Sequence, residues 1–104
     1  MNITETPIAG LLIIEPRVFS DDRGYFFESF KLNILEEAAQ RKIDFVQDNQ
    51  SKSAKNVLRG LHFQNPPFAQ GKLVSVQRGA VLDVAVDVRP NSPTYGQHHM
   101  VELS

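Results

Sequence analysis

The chain lacks cysteine, any long apolar run and any excess of charge. With no cysteine it forms neither disulfides nor thiolate metal sites, which is compatible with a reducing compartment. Its 11 basic and 12 acidic residues leave a net charge of -1, so nothing favours bulk attraction to nucleic acid or an acidic membrane. The apolar run Ile8 to Ile14 is shorter than the ~20 residues of a membrane helix, and acidic Glu5 precedes it where a signal peptide is basic. We expect a cytoplasmic protein that binds neither nucleic acid nor membranes.

Short strand patterns dominate what is present in these 104 residues, which are enough for one domain. Strands are predicted at 11–14, 25–30, 72–77, 81–88 and 97–104. The third and fourth of these are expected to form a hairpin through a loop of Arg78 and Gly79, or of these two residues and Ala80. One helix is predicted, with Asn33 as its N-cap, Glu36 as capping-box partner and an end near Lys42. This pattern is typical of an antiparallel sandwich or barrel.

The last strand pattern, 97–104, leaves a sheet edge unpaired or a sheet incomplete. We therefore expect residues 1–104 to form a single domain that is the truncated N-terminal part of a longer protein. In the strand at 81–88, Asp83 and Asp87 fall on one face. A two-residue hairpin loop puts Lys72 on that same face, whereas a three-residue loop puts it on the opposite face, so the hairpin register decides whether Lys72 neutralises the two acids.

The stretch Asn56 to Lys72 combines an imidazole with two cations. Because the imidazole group in general titrates near neutral pH, His62 is a candidate general base. Arg59 offers a planar fork suited to phosphate oxygens, and Lys72 is a candidate to stabilise an enolate oxygen. On spacing alone, a hydrogen-bonded strand histidine with solvated cations is the more frequent situation. Because strict alternation puts Arg59 and His62 on opposite faces, we predict a backbone irregularity at Gly60.

Two further groups of polar residues permit either a structural or a functional interpretation. Gln47, Asp48 and Asn49 lie in a polar run that has the character of a loop, and their amides also match the donors and acceptors of a nucleobase edge. Arg23 and Glu28 flank an aromatic run that is more often core than a base-stacking platform. A metal site is not expected, because His98 and His99 are adjacent and face opposite ways on a strand.

The segments DDRGYFFESF, FVQDNQSKS, LRGLHFQ and QGKLVSVQRGAVLDVAVDVR, followed by SPTYG, together resemble the dTDP-4-dehydrorhamnose 3,5-epimerases. The resemblance covers nearly the whole chain in order and spacing. It implies a mainly β, cupin-like double-stranded β-helix (jelly roll), of which these residues are a part with one short helix. It also implies a homodimer that needs no metal or cofactor.

The resemblance also implies a role for each candidate residue. His62 is the proton acceptor, Arg59 binds the diphosphate, and Lys72 lies beside the keto-sugar. Separately from the resemblance, we hypothesise that Asp83 orients Lys72 or a water. The nucleotide is held by Gln47, Asp48 and Asn49. Arg23 and Glu28 match residues that contact the substrate from the neighbouring subunit. The pocket would therefore be shared between the two subunits.

The implied reaction moves protons at sugar carbons 3 and 5, which the ketone at carbon 4 acidifies. It needs a base, an oxyanion stabiliser and an acid on the opposite face. The family's proton-donating tyrosine, its base-stacking tyrosine and the aspartate that orients the histidine have no counterpart in residues 1–104. We therefore expect the parent protein to epimerise a dTDP-keto-sugar and these residues alone to be inactive.

Three alternatives remain open. A related dTDP-keto-sugar 3-epimerase or ketoisomerase shares the base and the nucleotide pocket. A non-catalytic cupin that binds a sugar nucleotide needs Arg59 and the Gln47–Asn49 run but no base. A metal-dependent cupin oxygenase is disfavoured by the histidine spacing.

Overall fold

The computed structural model describes all residues 1–104 as short antiparallel strand pairs and one helix. The strands are β1 (Asn2–Glu5), β2 (Leu12–Glu15), β3 (Val18–Asp21), β4 (Gly24–Phe27), β5 (Val81–Val86) and β6 (His98–Leu103), and helix α1 is Leu32–Ala39. Three separate two-stranded sheets pair β1 with β2, β3 with β4, and β5 with β6. The expectation of a mainly β chain with one short helix is confirmed. That helix, of eight residues, is too short to cross a membrane.

The small core contains one residue of the turn between β1 and β2 and one residue on the apolar side of α1. Ile8 is 7% exposed and Leu35 is 4% exposed. The Thr6 hydroxyl closes the turn by donating to the carbonyl of Leu11 across 2.9 Å and accepting the Ile8 N–H across 3.3 Å. The turn therefore satisfies its own polar groups while it buries Ile8.

Helix α1 begins and ends earlier than the capping pattern predicts. Lys31, in extended backbone and without a side-chain cap bond, precedes its first residue, so Asn33 lies inside the helix. Glu36 accepts the backbone N–H of Ile43 after the helix and does not cap its start. The predicted cap at Asn33 and the capping box are wrong. An N-cap side chain is worth only about 1 kcal/mol, which packing can override.

The predicted hairpin between 72–77 and 81–88 is also wrong. β5 pairs instead with β6, with Val81 opposite Leu103 and Val86 opposite His98. Residues 72–77 form no strand. Local turn signals at Arg78 and Gly79 favoured a short loop, but β5 finds its partner across the longer loop 87–97, which an internal hydrogen-bond network stabilises. The terminal strand predicted at 97–104 is confirmed as β6.

The segment 42–80 contains almost no backbone pairing. Its backbone hydrogen bonds are Val57 N–H to Ala54 and Phe68 N–H to Asn65. The whole chain has 29 backbone hydrogen bonds, against about 70 for a globular domain of this length. Its accessible surface is 9517 Å², whereas a compact monomer of this mass exposes about 5,900 Å². Much apolar surface is therefore uncovered in the isolated chain.

Candidate active site

The extended segment 44–75 carries most of the candidate chemistry. Every residue in it is exposed, including Arg59, His62 and Lys72. Because the backbone here is neither helix nor strand, side-chain direction is set by individual turns and by hydrogen bonds between side chains. The surroundings of the candidate base are therefore formed by these local turns and hydrogen bonds.

Gly60 supplies the irregularity predicted between Arg59 and His62. Its φ is +124°, in the region that favours glycine, so the strand-like alternation is interrupted there. The imidazole of His62 folds back over this residue, with Nδ1 3.6 Å from where a Cβ on Gly60 would stand. The irregular backbone is confirmed, although it lies in an unpaired segment and is not a bulge in a sheet.

Arg59 is held by two neutral acceptors from the polar run upstream. Its Nε donates to the Ser53 hydroxyl across 2.7 Å, and its Nη2 donates to the carbonyl of Lys52 across 3.2 Å. Neither acceptor carries negative charge, so the guanidinium keeps its full attraction for an anion. Ser53 was missed as a candidate residue, because no sequence motif links a serine to an arginine six residues later in an irregular segment.

Arg23 lies in the two-residue turn between β3 and β4, where Gly24 has a φ of +137°. Asp21 accepts the Arg23 backbone N–H across 2.8 Å and its Nη2 across 2.6 Å. These bonds from the side chain and backbone of Arg23 lower the pKa of the Asp21 carboxyl and raise the pKa of the Arg23 guanidinium. Arg23 therefore already has a charged partner, unlike Arg59.

The nucleotide-recognition candidates lie together in one exposed stretch. The Gln47 side-chain amide donates to Oδ1 of Asn49 across 3.3 Å, and Asp48 lies between them without a hydrogen bond of its own. Both amides keep further donors and acceptors, as recognition of a base edge requires. Their role in binding a nucleotide stays a prediction.

Lys72, Asp83 and Glu28 have no ion-pair partner in the structure. Lys72 and Glu28 are exposed, while Asp83 is half-buried in β5, where it pairs in register with Val101. The suggestion that Asp83 orients Lys72 therefore gains no contact here and stays a prediction.

Asp87, grouped above with Asp83 on one strand face, belongs to a different network. It lies just after β5, is 4% exposed, and accepts from Arg89 Nε (2.9 Å), the Ser92 hydroxyl (2.5 Å) and the Thr94 hydroxyl (2.6 Å). The bonds from Arg89, then Ser92 and Thr94, hold the pKa of the Asp87 carboxyl far below its usual range. Arg89, and not Lys72, neutralises this acid.

Comparison with known proteins points to one enzyme family. The family model described as dTDP-4-dehydrorhamnose 3,5-epimerase matches residues 5–104. The "dTDP-4-dehydrorhamnose 3,5-epimerase" of Shigella flexneri is 58% identical over 104 residues, which cover 100% of this chain and 58% of that relative. The chain thus spans little more than half the length of the relative it matches.

Solved structures agree in fold. The epimerase of Bacillus anthracis with TDP and PPi bound superposes with a TM-score of 0.91 at 46% identity, over 99% of this chain and 59% of that one. The dTDP-6-deoxy-D-glucose-3,5-epimerase of Legionella pneumophila in complex with dTDP-4-keto-L-rhamnose also superposes with a TM-score of 0.91. It is 54% identical, and the match covers 99% of this chain and 54% of that one. These matches confirm the cupin-like fold class. The chain belongs to the dTDP-4-dehydrorhamnose 3,5-epimerase family.

Proposed function

We propose that this chain supplies the base and the nucleotide-binding residues of a dTDP-4-dehydrorhamnose 3,5-epimerase. The reaction converts dTDP-4-dehydro-6-deoxy-D-glucose to dTDP-4-dehydro-L-rhamnose, a step of dTDP-rhamnose biosynthesis. Family membership supports it, as do the relatives that hold TDP with PPi and dTDP-4-keto-L-rhamnose. A cytoplasmic location is part of the proposal and is compatible with the cysteine-free sequence.

The observation that carries the proposal is the state of His62. His62 is exposed, its Nδ1 lies 3.6 Å from where a Cβ on Gly60 would stand, and its ring makes no hydrogen bond or ion pair with any other residue of the chain. An imidazole in that state has a ring nitrogen that is not engaged by another group and can take up a proton from a substrate. It takes the proton from carbon 3 or carbon 5 as the electrons move onto the carbon 4 ketone oxygen, and a proton then returns to the opposite face.

The cations are assigned to the charges of the substrate. The ammonium of Lys72 stabilises the enolate oxygen, with Asp83 as a supporting residue. The Arg59 fork binds the diphosphate. The amides of Gln47 and Asn49, with Asp48 between them, hold the nucleotide. These roles rest on the side-chain chemistry and on the match of each motif to the family.

We also propose a homodimer in which a second copy contributes Arg23 and Glu28 to each pocket. The β3–β4 hairpin that carries Arg23 has Tyr25 74% exposed and Phe26 69% exposed. Exposed aromatic side chains of this kind are stabilised when another chain covers them.

Residues 1–104 alone are expected to bind dTDP weakly and to show no turnover. No carboxylate is bonded to His62, and every residue of 44–75 is exposed, so nothing orients the base or excludes water from it. Epimerase turnover by the isolated 104-residue chain, followed by NMR, would overturn this expectation.

To test the whole proposal, a protein is made in which residues 1–104 are joined to the remaining length of the Shigella flexneri relative. In D₂O, NMR is expected to locate solvent deuterium at both carbon 3 and carbon 5. His62→Ala is expected to lower turnover by about 10²- to 10⁴-fold, the usual contribution of a general base. The matched control His98→Ala changes an exposed histidine of β6 and is expected to retain turnover.

Two other outcomes would replace the proposal by named alternatives. Deuterium at a single carbon would indicate a dTDP-keto-sugar 3-epimerase or a ketoisomerase. Tight dTDP binding with no turnover, and no effect of His62→Ala, would indicate a sugar-nucleotide-binding protein without catalysis.

A further inference from the structure

Two hydrogen bonds hold the Arg59 guanidinium in place. Its Nε bonds to the Ser53 hydroxyl at 2.7 Å and its Nη2 bonds to the Lys52 carbonyl at 3.2 Å, so one edge of the fork is fixed at two points. A guanidinium has five N–H donors, of which these bonds use two. Both N–H groups of Nη1 and one of Nη2 remain for a ligand.

The partners of Arg59 also leave its charge uncompensated. Arg23 donates to a carboxylate, that of Asp21, which neutralises the cation at 2.6 Å. The hydroxyl and the carbonyl that hold Arg59 bear only partial charge. Of the two arginines, Arg59 is thus both oriented and electrostatically free to bind an anion.

From this geometry we infer that Ser53 is a positioning residue that presents the Nη1 side of Arg59 to the substrate diphosphate. The inference rests on the proposed function, in which Arg59 meets the diphosphate. A long exposed side chain loses rotamer freedom when it binds a ligand. Because the bond to Ser53 already restricts the rotamers of Arg59, less conformational entropy is lost on binding. Ser53 itself touches no substrate in this arrangement.

The hydrogen bond between Ser53 and Arg59 is tested first without any ligand, in the full 104-residue chain. Solvent exchange of the Arg59 Nε–H, followed by ¹⁵N NMR, is expected to be slow in the wild type and faster in Ser53→Ala. Ser53→Thr keeps the hydroxyl and is expected to restore slow exchange. Ser75→Ala is the matched control, because the Ser75 hydroxyl bonds only to Gln77.

Ligand affinity is then measured by calorimetry in the protein that joins residues 1–104 to the remaining length of the Shigella flexneri relative, with inorganic pyrophosphate and with thymidine, which lacks phosphate. Ser53→Ala is expected to weaken pyrophosphate binding by about 2- to 10-fold, the range for immobilising one long side chain. Thymidine affinity is expected to be unchanged, a selectivity that general unfolding would not produce. In an Arg59→Lys background, which lacks the Nε–H, Ser53→Ala is expected to have no further effect.

Two results would overturn the inference in distinguishable ways. If Ser53→Ala matches the wild type in both Nε–H exchange and pyrophosphate affinity, Ser53 does not position Arg59, whatever the chain binds. If Arg59 is held by Ser53 but the wild type binds neither pyrophosphate nor thymidine, the proposed function fails and the diphosphate role of Ser53 fails with it.

Discussion

The Arg89 guanidinium and the Asp87 carboxylate form a two-point ion pair, with Nε to Oδ1 at 2.9 Å and Nη2 to Oδ2 at 3.0 Å. Ser92 and Thr94 donate to Oδ2 of the same carboxylate. With the Arg89 backbone N–H, which donates to Oδ1 across 3.1 Å, five donors converge on one buried group at the start of the 87–97 loop. This network shapes the connection that brings β6 alongside β5.

Replacing Asp87 with Asn is expected to lower the unfolding midpoint at neutral pH, because the ion pair with Arg89 and an acceptor for Ser92 and Thr94 are lost. The pKa of Asp87 is depressed in the folded chain, so its stabilisation is complete above the unfolded pKa of about 3.9. It is lost as the pH falls below that value toward the folded pKa. Thermal unfolding of both proteins from pH 7 to pH 2 checks this, and a difference that grows on acidification would contradict it.

Gly60→Ala is expected to destabilise the chain locally by about 1–3 kcal/mol, because a φ of +124° is strained for any residue with a Cβ. The added methyl would also contact Nδ1 of His62. Gly71→Ala is the control, since a Cβ there meets nothing within 4 Å and Gly71 has no positive φ. Urea unfolding and the His62 ring NMR signals measure the two effects. Equal behaviour of the two variants would show that the Gly60 conformation is not required.

Asp21→Asn is expected to tighten binding of inorganic pyrophosphate by about twofold to fivefold, because Arg23 loses the carboxylate that competes for its guanidinium. Asparagine keeps the side-chain oxygen that accepts the Arg23 backbone N–H, so the turn itself is retained. Asp22→Asn makes the same change of charge one residue away, at a side chain with no ion pair, and is the control. Calorimetry at low and at physiological salt separates the specific effect from net charge, and weaker binding by Asp21→Asn would refute the competition.

Leu35→Ala is expected to cost about 2–3 kcal/mol, at the low end for a buried leucine because few other side chains here are buried. Leu32→Ala on the same helix is the control, since Leu32 is 41% exposed and its truncation removes less buried surface. Helix content by circular dichroism during urea unfolding compares them. If Leu32→Ala lowers the unfolding free energy more than Leu35→Ala, the packed side of α1 is the one that carries Leu32.

Local patterns determined several elements directly. The apolar run before Pro16, the turn of Asp22 and Arg23 before Gly24, and the β-branched residues of β5 each require only neighbouring residues to take their conformation. The irregular backbone at Gly60 also followed from the sequence, since only glycine tolerates the φ that interrupts alternation there. The segments DDRGYFFESF, FVQDNQSKS, LRGLHFQ and QGKLVSVQRGAVLDVAVDVR taken together were sufficient to indicate the epimerase family.

Tertiary structure decided what depends on distant partners. Pairing of β5 with β6 rather than with 72–77 depends on hydrogen bonds across the 87–97 loop, which no two-residue turn signal encodes. The same holds for the side chains that meet Arg59 and Asp87, because a hydrogen bond in an irregular segment follows from where the backbone has been placed. Sequence therefore determined the chemistry available to this chain, and the three-dimensional arrangement selected which of its charges are compensated by a partner and which remain free.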